Sequence, residues 1–164
     1  MQLVVADAGP LIALAVADLL PLVLQQFKLC VPQAVLDECL AEPYAPGSQP
    51  ILEASLQQGF NLIPNSSIKT LDSAYEMGLG SGEVAVLSYA HHHGLLALID
   101  ERRARRIAQQ LGVAVVGSGA VLLALKSSGA ITSIRPALEA WHKHGYFLSP
   151  ALQKQLLAAA GEPS

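Results

Sequence analysis

The most constraining feature is a set of short, almost wholly apolar runs set between longer helical patterns. Leu3-Val4-Val5-Ala6, Leu29-Cys30-Val31, Phe60-Asn61-Leu62-Ile63, Leu95-Leu96-Ala97-Leu98-Ile99 and Val113-Ala114-Val115-Val116 are each bounded by Pro, Gly or Asp. Strands of this length with no polar face are buried on both sides, which is the habit of a parallel sheet covered by helices. The intervening segments carry helix signals. Pro10, Pro21 and Pro32 suit first turns, and Gly59, Gly94 and Gly112 suit ends. The pattern predicts a three-layer α/β/α sandwich on five parallel strands. Helices are predicted over 11–18, 21–27, 32–41, 48–58, 68–75, 83–92, 101–111 and 119–127, with two more between Ser133 and Ala160 separated near Gly145. The 164 residues are read as one domain, with a core over about 1–128 and a helical extension over about 129–164.

Composition excludes several classes. Hydrophobic residues make up 52% and charged residues 14%, which rules out disorder as the main state. The net charge of −3 supplies no general basic field for nucleic acid. The N-terminus lacks the positive region of a signal peptide. The longest uncharged run, Ile107 to Leu125, is interrupted by Gln109-Gln110, Gly112 and Gly117-Ser118-Gly119. A soluble, cytoplasmic protein without a membrane segment is expected, with Cys30 and Cys39 reduced.

In open parallel sheets, ligands bind at the carboxyl ends of the strands. Two strands end there in a carboxylate, Asp7 and Asp100. Glu38, inside a helix, and Glu83, in the first turn after Gly80-Ser81-Gly82, are placed to line the same edge. Like charges gathered together repel unless a cation compensates, and hard oxygen donors suit Mg²⁺ or Mn²⁺. One or two such ions activate water and clamp a phosphate during in-line displacement. Each acid also has a structural role open to it. Asp7 and Asp100 are placed to cap the helices that follow them, Glu83 suits a helix N-terminus, and Glu38 suits a solvated face beside Asp37.

Val5-Ala6-Asp7-Ala8-Gly9-Pro10-Leu11-Ile12-Ala13-Leu14 resembles the opening of PIN-domain proteins. Val31 to Glu38 resembles their first acidic helix. Gly80 to Leu87 and Leu98 to Ala108 resemble the Gly-Glu segment and the strand-end Asp with Arg-rich helix of a standalone PIN-like subgroup related to VapC-type toxins. The likeness runs from about Leu3 to Leu125. It implies a strand order of 3-2-1-4-5, which makes strands one and four neighbours. It implies catalytic and metal-ligand roles for Asp7, Glu38, Glu83 and Asp100, with Mg²⁺ or Mn²⁺ as cofactor. Glu101 stands where the subgroup often has a second Asp. Such proteins usually have Ser or Thr, then Ser or Asn, after the first Asp; here Ala8 and Gly9 bring no hydroxyl.

The resemblance implies a metal-dependent endoribonuclease acting on RNA, in one version the toxin of a toxin–antitoxin pair with an antitoxin partner and a homodimeric state. The alternative is a catalytically silent PIN-like binding or assembly module. Four of the ten basic residues sit in Arg102-Arg103-Ala104-Arg105-Arg106, next to Asp100. Arg102 or Arg103 is a candidate for holding a substrate phosphate, against a purely solvated role. His91-His92-His93 point about 100° apart on a helix and do not converge on one ion. Val116-Gly117-Ser118-Gly119 reads as a tight strand-to-helix turn, and Trp141 and Tyr146 as packing residues of the extension. A receiver-type phosphorylation site is disfavoured, because Pro64 and Gly117 stand where an Asp and a Lys are needed.

Overall fold

The computed structural model describes residues 1–146 and 148–164. Its centre is a five-stranded, all-parallel sheet with the order β3-β2-β1-β4-β5. The strands are β1 (Gln2–Ala6), β2 (Phe27–Pro32), β3 (Asn61–Ile63), β4 (Leu96–Leu98) and β5 (Val115–Val116). The order is the one the family resemblance implied. β1 lies in the middle and pairs Val5 with Cys30 on one side and Ala6 with Leu98 on the other.

Ten α-helices surround the sheet among the described residues. They are α1 (Ala8–Val16), α2 (Leu20–Gln26), α3 (Gln33–Leu40), α4 (Ser48–Leu56), α5 (Asp72–Glu76), α6 (Ser81–His93), α7 (Arg102–Gln110), α8 (Ser118–Ser127), α9 (Arg135–Lys143) and α10 (Pro150–Ala159). Val23 of α2 and Val121 and Ala124 of α8 face Val4, Leu29, Leu96 and Leu98 of the sheet. α6 packs on β1, β2 and β4 and is backed by α3 and α5. The apolar runs of β1, β2 and β4 supply the core, where Val5, Ala6, Val31, Ala97 and Ile99 are essentially inaccessible, whereas the edge strand β3 leaves Asn61 and Leu62 exposed and so departs from the expected burial on both faces.

The sequence reading of a helix over 68–75 is corrected. A single 3-10 turn over Asn65–Ser67 and the short α5 flank an extended stretch instead. Pro64 holds the chain extended before the turn, and the Leu71 N–H donates to the buried Ser88 Oγ at 2.9 Å, anchoring that stretch on α6 rather than in a helix. β4 and β5 are shorter than their apolar runs, but Ile99 still donates to the Val116 carbonyl at 2.9 Å, so the ladder continues to the brink of Asp100.

Several contacts bind the extension to the core. Trp141 is 1% exposed and its Nε1 donates to the Ala13 carbonyl of α1 at 2.7 Å. Glu162, beyond α10, accepts from the Ser133 hydroxyl, from the Ile134 N–H at 2.9 Å and from Lys126 Nζ at 3.0 Å. Cys30 and Cys39 are free and buried. Among the described residues no single helix is long and apolar enough to cross a membrane.

Candidate carboxylate centre

Asp7 leaves β1 where the ladder to β4 is still intact: its N–H donates to the Leu98 carbonyl at 3.0 Å. That bond ties the end of β1 to the end of β4 and sets Asp7 and Asp100 at one edge. Asp7 occupies the position before α1, yet its side chain makes no capping bond. The helix-cap role open to it in the sequence is therefore unused, and the carboxylate is left to the cleft. Asp100 does not cap α7 either. Glu101 does so, accepting from the N–H groups of Arg103 at 3.1 Å and Ala104 at 2.8 Å.

The cleft has a volume of about 1000 Å³, and Asp7, Asp37, Glu38, Glu83 and Glu101 all line it. Among the described residues no lysine or arginine lines it. Glu38 and Glu83 arrive on α3 and α6, which approach closely because residue 82 is glycine. A Cβ at Gly82 would lie 3.1 Å from Glu38 Oε2 and 3.5 Å from a Val35 methyl. Glu83 turns back toward its own helix start, where Gly80 N–H donates to it at 3.3 Å. Asp37 accepts from Gln33 Nε2 at 2.7 Å.

Asp7 is 7% exposed, and burial pushes its carboxyl up to about 7. The neighbouring Ala8 amide opposes that rise, while the charges of Glu83, Glu38 and Asp100 reinforce it. Asp7 thus feels the field of the other three acids named in the sequence analysis. They do not form a ready-made cage: among the described residues no three His, Cys, Asp or Glu side chains converge as a preformed ligand set. Hard carboxylate oxygens with no basic residue lining their cleft are nonetheless the donor chemistry of Mg²⁺ or Mn²⁺. Mg²⁺ in particular is commonly held through one or two carboxylates and its own waters. The donor set fits such an ion.

Asp100 lies one step to the side, in a recess of about 300 Å³ that it shares with Asp7, Gly9, Glu101 and Tyr146. Its Oδ1 accepts from Ser118 N–H at 2.7 Å, and its Oδ2 accepts from the Ser118 hydroxyl and from the Tyr146 hydroxyl at 2.6 Å. Gly117 makes room for this arrangement. A Cβ there would fall 2.8 Å from Arg105 Nη1 and 3.0 Å from Asp100 Oδ1. The Gly-Ser-Gly segment is thus a tight turn, as its sequence suggested, and it also holds Asp100.

The arginines divide. Arg102 is exposed beside Glu101. Arg103 donates to the Met77 carbonyl and lies against Gly78, bracing the loop that leads to Glu83. Arg105 sits over Gly117 near Asp100. Ser118, Tyr146 and Arg105 were not named as site residues by sequence reasoning. Ser118 had a signal, as a hydroxyl at the start of the helix facing a strand-end Asp; Tyr146 had none.

A family model described as PIN domain matches residues 3–162. No curated protein matches the chain in sequence. Among solved structures, the chain is similar to a PilT N-terminus domain protein from the hyperthermophilic archaeon Sulfolobus solfataricus P2. The TM-score is 0.55 at 12% identity, covering 75% of this chain and 92% of that one. This likeness is one of fold. PIN domains generally use divalent metal ions. By the match over nearly its whole length, the chain belongs to the PIN domain family.

Proposed function

We propose that this chain is a metal-dependent endoribonuclease. The observation that carries the reading is Asp7: a buried carboxylate at the end of the central strand, within the field of Glu83, Glu38 and Asp100, with no lysine or arginine lining its cleft. Asp7 and Asp100, with Glu38 and Glu83 across the cleft, would hold Mg²⁺ or Mn²⁺. When bound, such an ion activates water and offsets charge building on a phosphate. The chain's own residues bind and orient. The ladder from β1 to β4 fixes the spacing of the two aspartates. Gly82 keeps α3 and α6 close enough for Glu38 and Glu83 to face them. Arg102, exposed at the start of α7, is free to meet a substrate phosphate, whereas Arg103 supports the Glu83 loop.

A toxin role, with an antitoxin partner and a homodimer in the cytoplasm, extends the same reading. It is tested by co-purification with the product of an adjacent small open reading frame and by solution mass.

A second reading is a catalytically silent binding module. It is favoured by Ala8 and Gly9, which bring no hydroxyl, and by an acidic cleft that repels RNA in the absence of a cation.

One pair of measurements separates the two. The nuclease reading expects calorimetric binding of Mn²⁺ to the full chain and Mn²⁺-dependent cleavage of single-stranded RNA, both lost in Asp7→Asn while the fold is retained. Wild-type protein that neither binds Mn²⁺ nor cuts RNA disproves it.

A further inference from the structure

One contact at the carboxylate centre is made by a part of the chain that the proposed function does not use. Tyr146 belongs to the extension, beyond α9, and its hydroxyl donates to Asp100 Oδ2 at 2.6 Å. The same oxygen atom would lie 3.4 Å from a Cβ placed on Gly9, in the first turn of the helix that follows Asp7. The phenol therefore stands beside Asp100 and Gly9, on the wall of the recess that Asp7 and Asp100 share.

Its position is built rather than incidental. Tyr146 N–H donates to the Trp141 carbonyl at 2.7 Å, and the two rings lie 5.8 Å apart between centroids. Trp141 in turn is fully buried and bonded to Ala13 on α1. A chain of fixed contacts thus runs from α1, the helix that follows Asp7, through Trp141 to Tyr146 and on to Asp100. Ser118 holds Asp100 from the α8 side, meeting both of its oxygens. Tyr146 adds a bond from the Gly9 side, so the carboxylate is fixed by donors from two elements. Fixing of this kind, by groups just outside a ligand set, is what orients a carboxylate for a cation.

We infer that Tyr146 is a positioning residue of the carboxylate centre: its hydroxyl, lodged in the space left by Gly9, sets the orientation in which Asp100 meets a divalent cation. The inference rests on the metal-dependent reading proposed above.

Tyr146→Phe keeps the ring and its packing and removes only the hydroxyl. Mn²⁺ binding to the full chain, followed by calorimetry, is expected to weaken by about tenfold, the lower end of the usual effect of such partners. Adding Gly9→Ser to Tyr146→Phe returns a hydroxyl to the vacated space and is expected to restore most of the affinity. Unchanged Mn²⁺ affinity in Tyr146→Phe overturns the inference and leaves the nuclease reading standing. A loss that Gly9→Ser does not restore overturns the assignment of that effect to a hydroxyl lodged in the space beside Gly9. Wild-type protein that binds no Mn²⁺ overturns both. Should Tyr146→Phe lose its cooperative thermal transition, Gly9→Val in the otherwise unaltered chain crowds the hydroxyl off Asp100. The same loss of Mn²⁺ affinity is then expected, and its absence overturns the inference.

Discussion

At Asp7, burial and three neighbouring carboxylates push the pKa up to about 7. At Glu162, the Ser133 hydroxyl, the Ile134 amide and Lys126 bring it down to about 2. One chain thus contains an acidic region under internal repulsion and another whose charge is fully partnered. The difference lies in what each region is for. The clasp at Glu162 fastens the extension to α8 and α9, and everything it needs is supplied by the chain. The cleft around Asp7 holds its charges at a cost to stability that only something from outside the chain can offset.

The largest expected effect comes from detaching the partnered region. Trp141→Ala removes a fully buried indole and its bond to Ala13. It should cost about 3–5 kcal/mol, read as a lower midpoint in urea. Next comes release of the strain in the cleft. The folded pKa of Asp7 is raised above its ordinary value of 3.8. The associated stability is therefore fully present below about pH 3.8 and is lost as pH rises through about 7. Asp7→Asn should remove that slope and stabilise the metal-free chain at pH 8 by about 2–4 kcal/mol. A substitution that abolishes metal binding would thus raise thermal stability, and a wild-type profile flat between pH 4 and 7 contradicts the comparison.

Gly82→Val is smaller and works by crowding. It presses on Glu38 and Val35, parts α3 from α6, and should cost about 1–3 kcal/mol by thermal melting. The smallest effect belongs to the acid limb of Glu162. Its folded pKa is depressed, so its contribution is present above the ordinary value of 4.5 and is lost as pH falls toward 2. The difference in melting temperature between Glu162→Gln and wild type should be widest near pH 7 and narrow steadily as pH falls from 4.5 toward 2.

The framework was legible in the sequence for a physical reason. Strand stretches such as Val4 to Ala6 and Ala97 to Ile99 are buried on both faces, so composition and breakers alone mark them, and a strand-end Asp then stands out. The first half of the helix expected over 68–75 failed because the Leu71 N–H goes to Ser88, a partner on another element. The site was legible to the extent that it follows strand ends. Asp7 and Asp100 could be found that way, and the resemblance supplied their neighbours. Which arginine braces a loop and which stays exposed depends on where Met77 and Gly78 pass, and no local pattern encodes that. Tyr146 meets an acid 46 positions earlier, after a turn and a helix, and its neighbourhood in sequence reads only as packing.

The central place of β1 has a consequence for the order of assembly. Its first partner, β2, follows after one short pair of helices, while its second, β4, lies roughly ninety residues downstream. Until β4 emerges, the middle of the future sheet is an open, oily edge able to pair with whatever it meets. Pairing with β4 closes that edge, and the bond from Asp7 to Leu98 is the last rung of that ladder. The same late event that ends the nascent chain's exposure to misassembly is the one that first brings Asp7 and Asp100 together.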